Sequence, residues 1–273
     1  MVQRVLDPID GSDEAFDALE YSFVTFPEAS HTTLYVINPT KKRYEGPGRD
    51  ENWLSKAKRE AEEIHDTARE MADHRAVTLR ERVTRRGRPA EHILEYVDRN
   101  DVDKLTVGST GRSSIDTVFV GSVAKTVTRR SPTTVTVVRN VDGEDVTPPE
   151  QVVVAVDGSE RAEDALKFVV RELPDATITA LHVIDPSKAF ATTTDADSIL
   201  ETARQLGYGR DSTIQTESER GDPARTIAEY VAEQDVDHLV VGRSGRSGWP
   251  RILLGSVAES LVLRAPVPVT VVS

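Results

Sequence analysis

Apolar residues along this chain fall into two rhythms that alternate from one end to the other. Val2 to Ile9 is a short apolar run closed by Asp10-Gly11-Ser12, after which Ala15, Leu19, Phe23 and Phe26 recur at the spacing of one helix face. Ser12 stands where a helix N-cap belongs. The β-rich run Thr32 to Ile37 stops at Asn38-Pro39 and predicts a second strand. A polar loop over 41–50 leads into a charged stretch from Glu51 to His74, rich in alanine and poor in large apolar residues, which predicts an exposed helix with a narrow buried stripe. Ala76 to Val83 alternates but carries charges, as an edge strand does. Gly87 and Pro89 open the next helix, with Pro89 at the first position, where its missing N–H is harmless, and Ile93, Leu94 and Val97 on one face. A strand over 103–108, a glycine loop, a helix over 121–130 and a strand from Thr133 to Val138 complete the series β-α-β-α-β-α-β-α-β.

After a polar stretch that ends in Pro148-Pro149, read as a short stiff linker, the series begins again. Val5 to Pro39 matches Val152 to Pro186 without a gap at an offset of 147, and Gly87, Pro89, Gly108 and Gly121 match Gly221, Pro223, Gly242 and Gly255 at an offset of 134. The second copy is thus 13 residues shorter, and the deletion falls between the second and third strands, where loop and exposed helix tolerate it. The expected organisation is a first domain over 1–140, a linker over 141–149 and a second domain over 150–273. Strands joined by helical crossovers run parallel with helices on both faces, so each half is expected to be a doubly wound α/β unit. Ligands of such sheets bind beyond the carboxyl ends of the strands, at the point where strand order reverses. Asp10 and Asp157, ending the first strand of each half, should therefore face the glycine loop that follows the fourth.

That loop reads Gly108-Ser109-Thr110-Gly111-Arg112, then Gly121-Ser122 after nine residues; the second copy reads Gly242-Arg243-Ser244-Gly245-Arg246, then Gly255-Ser256. Glycines admit close backbone approach, and Ser122 or Ser256 adds a hydroxyl at a helix start, where the dipole is positive and an anion such as phosphate is favoured. Neither the Walker A pattern nor the dinucleotide fingerprint G-x-G-x-x-G occurs at either loop. Arg112 and Arg246 are candidates to pair with phosphate oxygens, or else solvated loop arginines. Asp10 and Asp157 are candidates for ligand contact, or else turn and cap residues. Trp249-Pro250, in the second loop alone, is open between shaping that site and packing.

Composition narrows the chemistry. The 273 residues carry a formal net charge of −12, with only eight lysines among the 34 basic residues, a balance like that of salt-adapted proteins and one that disfavours non-specific nucleic-acid binding. With no cysteine there is neither disulfide nor thiolate site. Neither a secretion signal nor an apolar stretch of membrane-spanning length is visible, and the expectation is a soluble cytoplasmic protein. The six histidines, His31, His65, His74, His92, His182 and His238, lack metal-ligand spacing, and no serine near the glycines has an activating partner in the pattern. No catalytic residue and no metal site are assigned.

Taken together, the doubled G-x2-G-x9-G-S motif, the opening Val156-Asp157-Gly158-Ser159, the strand end His182-Val183-Ile184-Asp185 and Gly221-Asp222-Pro223-Ala224 make the chain similar to the universal stress protein family, in particular its ATP-binding branch, over nearly its whole length. The resemblance implies two tandem Rossmann-like five-stranded sheets, akin to adenine nucleotide alpha hydrolases, with strand order 3-2-1-4-5. It implies an ATP, ADP or AMP ligand with Mg2+, and a regulatory stress role without dedicated catalysis, ATP hydrolysis being slow at most. Gly108, Ser109, Gly111, Arg112, Gly121 and Ser122, with Gly242, Arg243, Gly245, Arg246, Gly255 and Ser256, would meet ribose and phosphates. Val123 and Val257 would lend amides, Asp10 and Asp157 would lie against the nucleoside, and Val36 and Val183 would offer backbone groups to adenine. Pro8 matches a proline of some relatives, while Ala155 stands there in the second copy. The fifth strands would pair within one chain as a pseudo-dimer, and association of two chains stays open. The alternatives are an adenylating or ATP-hydrolysing enzyme of the same α/β group, whose extra motifs are absent, and a scaffold that binds no nucleotide.

Overall fold

The computed structural model describes residues 1–39, 53–110, 120–141, 146–187, 193–207, 214–244 and 254–273. The first half runs β1 (Arg4–Ile9), α1 (Asp13–Thr25), β2 (Ser30–Ile37), α2 (Trp53–Arg75), β3 (Thr78–Arg86), α3 (Pro89–Arg99), β4 (Lys104–Gly108), α4 (Ser122–Arg130) and β5 (Thr134–Val138). The second runs β6 (Gln151–Ala155), α5 (Glu160–Glu172), β7 (Thr177–Ile184), α6 (Thr193–Gly207), β8 (Ile214–Arg220), α7 (Pro223–Glu233), β9 (His238–Gly242), α8 (Ser256–Arg264) and β10 (Val269–Val272).

Each half orders its strands 3-2-1-4-5 as expected, and the two sheets join into one of ten strands, β3-β2-β1-β4-β5-β10-β9-β6-β7-β8. All pairs are parallel except the central one, β5 with β10, where Val137, Thr136 and Val135 face Val269, Thr270 and Val271. Burial follows position: β4, β5 and β10 are buried throughout, whereas β3 at one edge is exposed or half-exposed along its length. Strand β3 extends to Arg86, beyond the expected end at Val83, because its ladder with β2 continues through Val36 and Ile37.

The helices start where short polar side chains satisfy their first amides. Ser12 Oγ accepts from Ala15 N at 3.3 Å and Ser159 Oγ from Ala162 N at 3.3 Å, with Gly11 and Gly158 at positive φ just before them. Helix α2 buries the stripe Ala57, Ala61, Ile64, Ala68 and Ala72, whose alanines let it lie close to the sheet. His65 on that helix is held between Thr33 and Thr84, and burial together with the positive charge of Arg82 lowers its pKa to about 4.

Between the halves, one apolar layer runs from Leu105, Val107, Val135 and Val137 into Leu239, Val241, Val269 and Val271. Each such side chain, once buried, stabilises the fold by about 1.5–3 kcal/mol before entropy is counted. Polar groups cross the same seam. Tyr21 Oη is hydrogen-bonded to His238 Nδ1, His238 Nε2 lies 2.9 Å from Thr270 Oγ1, and that oxygen lies 2.5 Å from Thr136 Oγ1. A neutral imidazole fits this chain, and burial, together with Lys104 nearby, lowers the pKa of His238 to about 3. The Lys104 ammonium lies 3.8 Å from the ring centroid of Phe26 and 5.0 Å from that of Phe168, an aromatic contact from each half. Arg139 donates to the carbonyls of Leu263 and Ala265, each at 3.2 Å, where the dipole of α8 ends negative. Arg243 makes the reverse contact, donating to Thr128 O at 3.0 Å in the last turn of α4 and to Thr133 O at 3.3 Å. Of the expected linker, Val146 is buried against Ala18, Tyr21 and Val138, so that its far end is docked on α1.

Candidate functional site

The carboxyl ends of β1, β2 and β4 open into a cleft of about 540 Å³ in the first half. Pro8, Ile9 and Asp10 come to it from the end of β1, Leu34 and Val36 from β2, and Gly108, Ser109 and Thr110 from the end of β4. Pro89, Ala90 and Ile93 bring the first turns of α3, and Gly121, Ser122 and Val123 the start of α4. The acidic tip of the first strand and the glycine motif therefore share one cavity. Its deep wall is apolar, since Leu34, Ile93, Val107 and Ala124 all belong to the buried layer under α3 and α4.

The start of α4 differs from those of α1, α5 and α7. Ser12, Ser159 and Asp222 cap those helices with a side-chain oxygen, whereas the cap of α4 is Gly121 and that of α8 is Gly255, which have no side chain to offer. The first-turn amides of α4, on Ser122, Val123 and Ala124, thus lie at the cleft wall at the positive end of the helix dipole. The Gly121 N–H itself is spent on Ser109 O at 2.6 Å, and the Gly255 N–H on Arg243 O at 2.7 Å. The donors open to a guest are accordingly those one to three residues further on.

Other expected site residues have structural reasons of their own. A Cβ on Gly108 would lie 2.7 Å from Glu14 O, and one on Gly242 would lie 2.6 Å from Arg161 O, so that the strand end could not pass the first turn of α1 or α5 with any larger residue there. Asp10 Oδ1 accepts from Ser12 N at 3.1 Å and Ser12 Oγ at 2.6 Å, and Asp157 does the same with Ser159 at 3.1 and 2.5 Å. Both aspartates therefore build the turn into the following helix while standing at the cleft ends of β1 and β6. The assignment of Arg243 to a ligand is corrected in one respect: its guanidinium is buried in the seam and held by Thr128, Thr133 and Ser273. Burial, with Arg161 nearby, lowers its pKa to about 10, which leaves it a cation at neutral pH.

In the second half, Val183 is the last residue but one of β7, Gly242 ends β9, and Gly255, Ser256 and Val257 start α8. His182 is half-buried and donates from Nδ1 to Val156 O at 2.8 Å. Gly111, Arg112, Gly245, Arg246, Trp249 and Pro250 lie outside the described residues. Arg88 lines the first cleft and was not singled out in the sequence. It precedes Pro89 at the mouth, mostly exposed, with its guanidinium 3.0 Å from Glu91 Oε1. Its only sequence signal is a cation before a proline-started helix beside the predicted cleft. Among the described residues no group of three His, Asp or Glu side chains is placed to hold a metal. None of the described helices is long and apolar enough to cross a membrane.

A doubled, doubly wound parallel sheet with its cleft at the strand ends defines a tandem Rossmann-type α/β protein. The model of the Universal stress protein family matches residues 1–139 and 149–273, and the chain belongs to that family. It is 29% identical over 138 residues to a universal stress protein of Methanocaldococcus jannaschii, which covers 45% of this chain and 81% of the relative. A Mycobacterium bovis universal stress protein is 28% identical over 187 residues, or 63% of this chain and 62% of its own length. The crystal structure of a universal stress protein from Archaeoglobus fulgidus superposes with a TM-score of 0.76 at 25% identity, covering 99% of this chain and 98% of that one.

Proposed function

We propose that this universal stress protein binds an adenine nucleotide, ATP or its lower phosphates, in the cleft of its first half, and that binding serves regulation in a stress response. The single observation that carries this reading is the cleft itself, which joins an apolar wall at Leu34, Val36 and Ile93 to a glycine-capped helix start at Gly121-Ser122-Val123. An adenine ring fits the first, and a polyphosphate fits the second. Asp10 lines the same cleft and would meet the ribose of such a guest. Magnesium enters with the phosphates and their waters in this reading, as that cation usually does. The role lies in occupancy rather than turnover, within two domains meeting near 140–150, in the cytoplasm and without nucleic acid.

Calorimetric titration of the purified protein with ATP and magnesium tests it, with Gly121→Val as the control. A Cβ at Gly121 has ordinary room in the fold, 3.4 Å from Ser109 O, so the valine variant should fold while its methyl groups narrow the phosphate end of the cleft. Heat for the parent protein and its loss in the folded variant are expected. No heat for the parent at millimolar nucleotide, after removal of anything carried through purification, would end this reading; stoichiometric pyrophosphate release would replace it with an adenylating enzyme.

A further inference from the structure

Each half sends one arginine across the seam to the end of the other's last helix. Arg243, 2% exposed, is fixed by its backbone in the second half, its N–H donating to Val272 O at 2.9 Å and its carbonyl accepting the Gly255 N–H at 2.7 Å. Its guanidinium then crosses over. One Nη donates to Thr128 O at 3.0 Å, in the last turn of α4, and the other to Thr133 O at 3.3 Å, just before β5, while Nε is held by Ser273 Oγ at 3.0 Å. In the other direction half-buried Arg139, which follows β5, donates to the carbonyls of Val262, Leu263 and Ala265 at the end of α8. The two crossings start from different strand ends: at the offset of 134, Ser109 answers to Arg243 and Arg139 to Ser273, so that serine and arginine are exchanged between the same two places in the two copies. Each helix end thus receives one cation from the opposite half.

Helix α4 has nine residues, so its ends lie about 13 Å apart. Its first turn, Ser122 to Ala124, lines the first cleft where the phosphates are assigned above, and its last turn is the one that Arg243 holds. We infer that Arg243 is a positioning residue for the nucleotide site of the first half, acting through α4, so that the cleft of one half keeps its shape through the other half. This rests on the nucleotide reading above. The buried contacts of Ala124 and Val127 hold α4 against its layer, but apolar contact is non-directional and lets a helix slide along its axis. Two directed bonds from a guanidinium that is itself pinned by Ser273 do not. A rod of two and a half turns that is fixed at one end carries the amides of the other end with it. The charges agree, since a cation at the negative end of the helix dipole and an anion at the positive end are both favoured and compete for no donor.

Calorimetry of the full chain well below its unfolding temperature, with ATP and magnesium and in parallel with adenosine, tests the inference, counting for ATP only the heat that Gly121→Val removes. Arg243→Met, which keeps the length of the side chain and loses its donors, should weaken ATP about threefold to tenfold and leave adenosine nearly unchanged, because only the phosphates meet the first turn of α4. Arg243→Lys, a cation without the fork, should fall between the two. A lower melting temperature with unchanged ATP affinity in folded Arg243→Met would make the arginine structural alone and overturn the inference, as would an equal weakening of ATP and adenosine. The parent protein gives a second reading that does not depend on a variant folding. The side-chain N–H signals of Arg243 in nuclear magnetic resonance spectra should shift on saturation with ATP, hardly at all with adenosine, and not in Gly121→Val. Signals that stay in place at saturating ATP would equally overturn the inference. Each of these failures leaves the nucleotide reading standing, whereas no ATP binding in the parent would remove both.

Discussion

Acidification should loosen this fold through two buried histidines, by an amount that follows from their surroundings. His65, between Thr33 and Thr84 under α2, has its pKa lowered from 6.5 to about 4 by burial and by Arg82; His238, in the seam with Tyr21 and Thr270, falls to about 3 by burial and by Lys104. Both folded-state values lie below the unfolded ones. From about pH 6.5 downward the unfolded chain therefore binds a proton at each ring that the folded chain does not, and stability falls as pH falls. Each ring contributes about 1.4 kcal/mol per pH unit across this window, so that moving from pH 7.5 to 4.5 costs on the order of 2 kcal/mol or more per histidine, a loss that levels off only below the folded values. The depressed pKa of Lys104, caused by burial, acts with the same sign. Urea unfolding at half-unit intervals between pH 7.5 and 4.5, for the parent and for His238→Gln, isolates the seam histidine from the carboxylates that titrate nearby. The variant should start less stable and lose less on acidification, and the two curves should converge. Curves that run parallel across the window would refute the claim that His238 is held neutral in the folded protein.

Tyr21→Phe leaves His238 Nδ1 buried without its hydrogen-bond partner and should destabilise the chain by about 1–3 kcal/mol in urea unfolding, with little change in apolar burial. Arg243→Ala strips donors from Thr128 O and Thr133 O on the opposite half and should cost about 2–4 kcal/mol, read as a lower melting temperature.

The fold was legible because its signals were local and doubled. Alternating apolar runs and helical stripes, with Pro89 and Pro223 at helix starts and Ser12 and Ser159 at caps, are written in neighbouring residues, and the second copy confirms the first. The seam was not legible. Tyr21 and His238 are 217 positions apart, and nothing near either one announces the other. Arg243 shows the same limit: the resemblance implies a ligand contact there, and its position just beyond β9, next to the other half, turns its guanidinium to Thr128 O. Arg88 was passed over because an exposed cation ahead of a proline has no pattern of its own, and only the fold brings it to the cleft mouth.

The glycines show why a motif and a site are different statements. Gly108 and Gly242 must lack a side chain whether or not a ligand is bound, because the carbonyls of Glu14 and Arg161 occupy the space that a Cβ would need. Gly121 and Gly255 each give their N–H to the residue after the fourth strand, Ser109 or Arg243, a bond that closes the loop in both halves. Packing alone is therefore enough to keep the spaced glycines in a copy whose surrounding charges have changed. The glycine spacing therefore reports how the strand end and the loop pack, while the side chains that differ between the copies, such as Arg88 against Asp222 and Asn38 against Asp185, lie outside that constraint.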